Sequence, residues 1–157
     1  MDAKQTLIHL VKKQTAGFIK AARCLPADKL EWKAGPKNRT PLDILQEVAT
    51  VACGTPDIIK NRKMSWNPDQ FAKYQQERAS LTDVEDIYAK INAATDLIVS
   101  TINATDTADY DAAVQMPWPG DFRIVDILTY HMWNLGYHEG QLVYILAALD
   151  LPTPFDH

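Results

Sequence analysis

The sequence predicts an all-α protein, a four-helix bundle with long connections between some of its helices. Four stretches carry apolar residues at intervals of three and four, and no stretch shows the alternating pattern of a strand. Proline and glycine cluster between these stretches. With 157 residues, 46% of them hydrophobic, the chain is long enough for one bundle core and short for two. We therefore expect a single domain over residues 1–157.

The first predicted helix covers residues 4–23, because apolar residues recur there at helical spacing. Pro26 ends this helix. The stretch 25–39 contains further proline and glycine together with Leu30 and Trp32. We expect an ordered loop that these two apolar side chains anchor to the core.

The second predicted helix has the best-defined start in the sequence. Thr40 is a good N-cap, Pro41 suits the first helical position, and Asp43 places an acid in the first turn. The helix is predicted to end near residue 63, with a kink at residues 54–56 where glycine and proline occur.

The next two segments are a long connection and the clearest amphipathic helix. Residues 64–79 are predicted to form a connection with at most a short helical turn. The third helix is predicted to begin near Thr82, which is spaced to form a capping box with Glu85, and to run to Ile102. Residues 103–123 are predicted to form a loop in which two prolines exclude regular structure.

The fourth predicted helix, residues 124–149, carries two histidines in its buried stripe. His131 and His138 are seven residues apart, so their rings lie on one side of the helix, about 10 Å apart along its axis. Asn134 lies one turn before His138, a spacing at which two side chains converge. One interpretation is a pocket lined by all three residues, and the other is a pair of structural histidines hydrogen-bonded within the core.

The aromatic residues near the end of the chain also have two interpretations. They either fill the core and loop contacts or line the mouth of a site for a small organic ligand. These residues are Trp118, Tyr130, Trp133 and Tyr137. His131, Tyr137 and Gln141 are the predicted pocket residues. Gly140 is interpreted as a small residue that admits a neighbouring helix or loop, because a glycine inside a helix otherwise costs about 1 kcal/mol relative to alanine.

Charge and hydropathy argue against two classes of partner. A net charge of -4 and an isoelectric point near 5.5 leave no broad positive field for a phosphate backbone, so we expect no nucleic-acid partner. No stretch is apolar for long enough to cross a bilayer, and the first residues lack a secretory signal, so we expect a cytoplasmic protein with no membrane partner. Cys24 and Cys53 lack the spacing of a metal or redox motif and are predicted to be reduced core thiols.

The segment Asn-Leu-Gly-Tyr-His-Glu-Gly-Gln-Leu, residues 134–142, resembles the last-helix motif of the DinB family, also called DinB/YfiT-like. That motif usually reads His-x-x-Tyr-His-x-Gly-Gln followed by an apolar residue. The loop 25–36 and the helix start 40–45 are also similar to the corresponding segments of the family. The resemblance spans essentially the whole chain and implies a DinB/YfiT-like four-helix bundle.

The resemblance also implies a metal site. Family members typically hold a divalent metal with three histidines, which correspond by position to Glu47, Asn134 and His138 here, with His131 as an alternate ligand. A carboxylate and an imidazole are good ligands for zinc, nickel or iron, whereas an amide is a poor one. The loss of two histidines favours a protein without bound metal over one that holds a divalent ion. A hydrogen bond from His138 to Glu47 without metal is a third outcome.

Two functions from different classes follow. The first is a DinB-like enzyme with a degenerate site, either a metal-dependent thiol transferase or a hydrolase-like enzyme, in which the metal lowers the pKa of a bound thiol or water. The second is a non-catalytic bundle that binds a small molecule or serves a structural role and forms a homodimer through an exposed apolar helix face. The sequence assigns no catalytic residue and leaves both functions open.

Overall fold

The computed structural model describes residues 2–65 and 67–156, and it confirms the all-α four-helix bundle. Three rods of the bundle are single helices, and the fourth is made of two shorter helices in series. The rods are α1 (Ala3–Ala22), α2 (Pro41–Thr50) followed by α3 (Thr55–Asn61), α5 (Val84–Ala104) and α6 (Ile124–Ala148). Helix α6 packs against each of the other rods.

The helix starts follow from local capping. The Thr40 hydroxyl accepts a hydrogen bond from the backbone N–H of Asp43 at 3.0 Å, as the sequence predicted. Helix α5 is capped instead by Asp83, whose carboxylate accepts from two backbone N–H groups of the first turn. The predicted capping box from Thr82 to Glu85 is therefore wrong, because the Asp83 carboxylate makes the capping contacts.

The second predicted helix is interrupted next to the predicted kink, because a 3-10 turn at Val51–Gly54 separates α2 from α3. The segment predicted to be a long connection contains a further helix, α4 (Pro68–Ala79), which packs against α2. Asn67 caps α4 and Pro68 occupies its first position. None of the described side chains of α4 is buried, so its sequence lacks the apolar period that would have revealed it.

Residues 103–123 are less irregular than predicted. Two short strands, β1 (Ala113–Val114) and β2 (Phe122–Arg123), pair antiparallel on either side of the proline-containing loop. Strands of two residues are too short to show an alternating pattern, which explains why the sequence did not indicate them.

The core consists of two apolar clusters stacked along the bundle. One contains Phe18, Ile91 and Leu135, and the other contains Val11, Ile98 and Leu128. On α1, α5 and α6 the change from one cluster to the other falls at a buried polar residue. These residues are Thr15, Thr95 and His131. The bundle therefore has a polar layer between two apolar ones.

The predicted loop anchors are confirmed, whereas the prediction for the cysteines is partly wrong. Leu30 and Trp32 pack against the first core cluster, which confirms them as anchors of the loop after α1. Cys24 is half-buried and Cys53 is exposed, so the prediction of two core thiols is wrong for Cys53. Among the described residues, no helix combines the length and the apolar character needed to cross a membrane.

Candidate functional site

Helices α2 and α6 bring together the three positions that the resemblance assigns to metal ligands. Oε1 of Glu47 lies 3.0 Å from Nε2 of His138 and 3.1 Å from Nδ2 of Asn134, which donates to it. Asn134 and His138 are each 1% exposed, and the Glu47 side chain is 21% exposed. The two α6 residues converge because they are four residues apart on one helix face.

Two arginines bind the other oxygen of the Glu47 carboxylate. Oε2 lies 2.7 Å from Nη1 of Arg39 and 3.3 Å from Nη1 of Arg78. The same two guanidinium groups also bind Asp43, which lies one turn before Glu47 on α2. Arg39 comes from the loop before α2 and Arg78 from α4, so three elements form a cluster of two negative and two positive charges.

This environment keeps Glu47 ionised. The pKa of its carboxyl is lowered from 4.5 to about 2, chiefly because His138 donates a hydrogen bond to it. Burial acts in the opposite direction, but the charge of Arg39 and the hydrogen bond from Asn134 lower the pKa further. Glu47 is therefore an anion throughout the physiological pH range.

Both ring nitrogens of His138 face oxygen acceptors. Nδ1 lies 2.6 Å from the side-chain carbonyl Oε1 of Gln141, and Nε2 faces the Glu47 carboxylate. A neutral imidazole has one N–H and can donate to only one of these oxygens.

A cleft of about 490 Å³ opens beside this network, between the loop before α2 and the outer face of α6. Arg39 and Gln141 line the cleft and are also bonded to the network, Arg39 to Glu47 and Gln141 to His138. Tyr137 also lines the cleft. Two of the three predicted pocket residues, Tyr137 and Gln141, therefore face this space.

His131, the third predicted pocket residue and the alternate ligand, lies apart from the cleft in the polar layer of the core. Its Nε2 is 3.3 Å from Oγ1 of Thr95, which is 2.7 Å from Oγ1 of Thr15. Burial lowers the pKa of His131 from 6.5 to about 4, so the ring is neutral at pH 7. Its Nδ1 has no hydrogen-bond partner among the described residues.

The aromatic side chains of α6 form an exposed row. Tyr130 and Trp133 have ring centroids 5.6 Å apart, and Trp133 stacks on Tyr137 at 5.4 Å. The Tyr137 ring also meets His138 edge-on, with centroids 5.1 Å apart. These three aromatic residues are outside the core, and Tyr137 is the one that also lines the cleft.

Solved structures of known proteins share this architecture. YfiT from Bacillus subtilis, described as a probable metal-dependent hydrolase with an unusual four-helix bundle topology, matches with a TM-score of 0.74 at 8% identity, over 97% of this chain and 91% of that chain. A DinB-like protein of Bacillus subtilis, YjoA, matches with a TM-score of 0.65 at 13% identity, over 97% and 99% of the two chains. The fold is DinB/YfiT-like.

A further structural neighbour is the colibactin self-resistance protein ClbS, whose structure is a complex with double-stranded DNA. It matches with a TM-score of 0.63 at 11% identity, over 92% of this chain and 95% of that chain. No protein-family model and no curated protein sequence matches this chain. At these identities the likeness to the DinB-like structures concerns the fold alone.

The residues present do not fit the divalent metal implied by the resemblance to DinB proteins. Asn134 directs its NH₂ group, which cannot bind a cation, toward Glu47, and its Oδ1 has no hydrogen-bond partner among the described residues. Arg39 and Arg78 already neutralise the Glu47 carboxylate, so a dication beside it would be repelled by two positive charges. The described residues contain no group of three or more His, Cys, Asp and Glu side chains that could hold a metal. Metal binding by Glu47, Asn134 and His138 stays a prediction.

Sequence reasoning missed both arginines of this site. Arg39 precedes Asp43 by four residues, a spacing typical of ion pairs, and this spacing was the available signal. Arg78 carries no comparable signal, because its acidic partners lie more than 30 residues away on α2.

Proposed function

We propose that this chain is a small-molecule-binding protein of DinB-like fold that works without a bound metal and holds its ligand in the cleft beside Glu47 and His138. One observation supports this proposal above the others. Two polar residues that line the cleft, Arg39 and Gln141, are each bonded to one member of the Glu47–His138 pair.

In this proposal Glu47 and His138 are positioning residues. Arg39 uses one N–H toward Glu47 and two toward the side chain and backbone oxygens of Asp43, which leaves two of its five N–H donors for a ligand. The side-chain carbonyl of Gln141 faces Nδ1 of His138, so its NH₂ group points away from that ring and is available as a donor. The network fixes both side chains before a ligand arrives, and less rotamer entropy is then lost on binding.

One observation favours the other candidate, a metal-dependent hydrolase or thiol transferase. The hydrogen bond between Nδ1 of His138 and Gln141 is of the kind that orients metal-bound histidines, and it directs Nε2 toward Glu47. YfiT is described as a probable metal-dependent hydrolase. For this chain to act in that way, a metal would have to compete with Arg39 and Arg78 for the Glu47 carboxylate.

Metal analysis distinguishes the metal-free binding protein from the metal-dependent enzyme. The protein is expressed with zinc, nickel and iron supplied and is then purified. We expect far less than one metal ion per chain, and a melting temperature that neither metal addition nor a chelator changes by more than about 1 °C. A control variant that combines Glu47→His with Asn134→His restores the three-histidine set and should bind about one metal ion per chain. The single variant Asn134→His serves the same purpose if the double variant is unstable. Stoichiometric metal in the unmodified protein would overturn the proposal.

Three further sequence-based predictions are kept as proposals: a homodimer, no nucleic-acid partner and a cytoplasmic location. The exposed aromatic row of α6 supplies an apolar face through which two copies of the chain would pack. Light scattering coupled to size-exclusion chromatography measures the mass of the particle in solution.

The absence of a nucleic-acid partner has a direct test. ClbS was solved with double-stranded DNA, so a mobility-shift assay with duplex DNA is the matching experiment for this chain. The net charge of -4 leads us to expect no shift at physiological salt.

A further inference from the structure

Gly140 occupies a position where packing within the chain does not require a glycine. A glycine inside a helix destabilises it relative to alanine, and the sequence predicted that a neighbouring helix or loop compensates by close approach. Apart from its own helix backbone and adjacent residues, no described heavy atom lies within 4 Å of the position a Cβ would take. By contrast, a Cβ at Gly17 would lie 3.1 Å from the Glu139 carboxylate. Gly140 instead lines the cleft, where a missing side chain lets a ligand approach the helix backbone.

Aromatic side chains surround the helix backbone that is exposed to the cleft at Gly140. Tyr137 and Tyr144 lie three residues before and four residues after Gly140, and Trp32 enters the cleft from the loop after α1. The Tyr137 ring is held by its near-parallel stacking on Trp133, at an interplanar angle of 14°. Fixed rings beside a flat strip of backbone favour a planar aromatic ligand.

The polar groups of the cleft are predominantly hydrogen-bond donors and cations. Lys37 is exposed and forms no ion pair with any described residue. Arg39 has two unused N–H groups, and the NH₂ group of Gln141 points away from the His138 ring. No acidic residue lines the cleft in the part of the chain that the structure describes, although the chain as a whole carries a net charge of -4. Such a set recognises an anion, and a guanidinium matches a carboxylate best.

We propose that the cleft binds a planar aromatic carboxylate, whose ring lies over Gly140 beside Tyr137 and whose carboxylate faces Lys37 and Arg39. The proposal rests on the proposed function, because it takes the cleft as the ligand site. It goes further by naming the class of ligand. Free aromatic acids of one or two rings suit an open cleft of about 490 Å³.

Isothermal titration calorimetry of the full chain with 2-naphthoate tests whether binding requires a negative charge on the ligand. The comparison compound is 2-naphthylmethanol, which has the same rings and no charge. We expect saturable binding of the acid and at least tenfold weaker binding of the alcohol, because the carboxylate forms charge-assisted hydrogen bonds. Lys37→Gln should weaken binding of the acid several-fold, whereas Lys33→Gln, an exposed lysine of the same loop outside the cleft, should not change it.

A pair of glycine variants tests the location. Gly140→Ala places a methyl group in the cleft and should lower the affinity for 2-naphthoate at least about tenfold. Gly136→Ala is the matched control on the same helix, because its Cβ would make an ordinary contact with Gln14 at 3.6 Å, away from the cleft. Both substitutions should raise the melting temperature by roughly 2–5 °C through better helix propensity, which verifies that both variants fold.

Three results would overturn the ligand assignment: no saturable binding of 2-naphthoate, equal binding of the alcohol, or equal affinities in the two glycine variants. None of these results depends on the metal content of the protein. Failure of the proposed function is seen instead as stoichiometric metal in the unmodified protein, so the two failures are distinguishable.

Discussion

His131 and His138 lie two turns apart on α6 and are each 1% exposed, but they have different partners. His138 is bonded to the Glu47 carboxylate and to the carbonyl of Gln141. His131 has one long contact with the hydroxyl of Thr95. At equal burial, one histidine therefore contacts a carboxylate and the other contacts a hydroxyl group, and the partners supplied by other helices make the difference.

The two regions also differ in their access to solvent. The neutral layer of His131, Thr95 and Thr15 lies between the two apolar clusters, where a charge would have no compensation. The charged cluster lies next to the cleft, where Glu47 and Arg39 keep part of their side chains in contact with water. In these two regions, the charges are thus paired where the core meets the cleft, and the polar side chains of the inner layer are uncharged.

The largest effect is expected from Glu47→Gln, which removes the charge at the centre of the ionic region. Arg39 and Arg78 would lose a shared counter-charge, and Arg78 is only 11% exposed. We expect the free energy of unfolding to fall by about 3 kcal/mol, measured by urea denaturation with an unchanged slope. The control is Glu85→Gln in the exposed pair with Arg23, which should cost less than about 1 kcal/mol. Equal losses in the two variants would contradict the central role of Glu47.

A smaller effect is expected from replacing the histidines themselves by leucine. His138→Leu removes hydrogen bonds to Glu47 and Gln141, so we expect a loss of about 2 kcal/mol at pH 7.5. His131→Leu removes one long contact and a ring nitrogen that has no partner among the described residues, so the change should stay within about 1 kcal/mol. Thr95 keeps its hydrogen bonds to Thr15 and to the carbonyl of Ile91 in that variant. If His131→Leu lowered the free energy of unfolding as much as His138→Leu, burial of the ring and not its hydrogen bonds would determine the loss.

Much of the fold was predictable because it depends on local signals. The cap at Thr40 and the apolar periods of the long helices place the four rods. The spacing of Asn134 and His138, together with the family resemblance, located the point on α6 that faces Glu47. Helix α4 was not predictable from apolar periodicity, because none of its described side chains is buried.

The site was less predictable, because its character depends on contacts between distant elements. His131 and His138 occupy the same stripe of α6, so periodicity assigns them the same environment. Arg78 reaches Asp43 and Glu47 from a helix that the sequence did not indicate. These contacts place two guanidinium groups beside the carboxylate that the resemblance assigns to a metal ligand, and no motif on α6 contains that information.

The smallest predicted effect is a pH dependence of the stability that arises from His131. Burial lowers the pKa of His131 from 6.5 to about 4, so between these values the unfolded chain binds a proton that the folded chain does not. The stability that this group contributes is complete above pH 6.5 and is lost as the pH falls through about 4. From pH 7.5 to 5.5 the loss should be about 1 kcal/mol. Glu47, whose pKa is lowered from 4.5 to about 2, adds its own loss only below pH 4.5.

Urea denaturation of the unmodified protein and of His131→Leu at a series of pH values measures this contribution. The difference between the two curves isolates His131, because Glu47 and His138 are present in both proteins. We expect the unmodified protein to lose about 1 kcal/mol of stability relative to His131→Leu as the pH falls from 7.5 to 5.5. His9→Gln, a substitution at an exposed histidine of α1, should leave the shape of the curve unchanged. Parallel curves for the unmodified protein and His131→Leu would mean that His131 binds a proton as readily in the folded chain as in the unfolded chain, and would contradict the neutral role assigned to this ring.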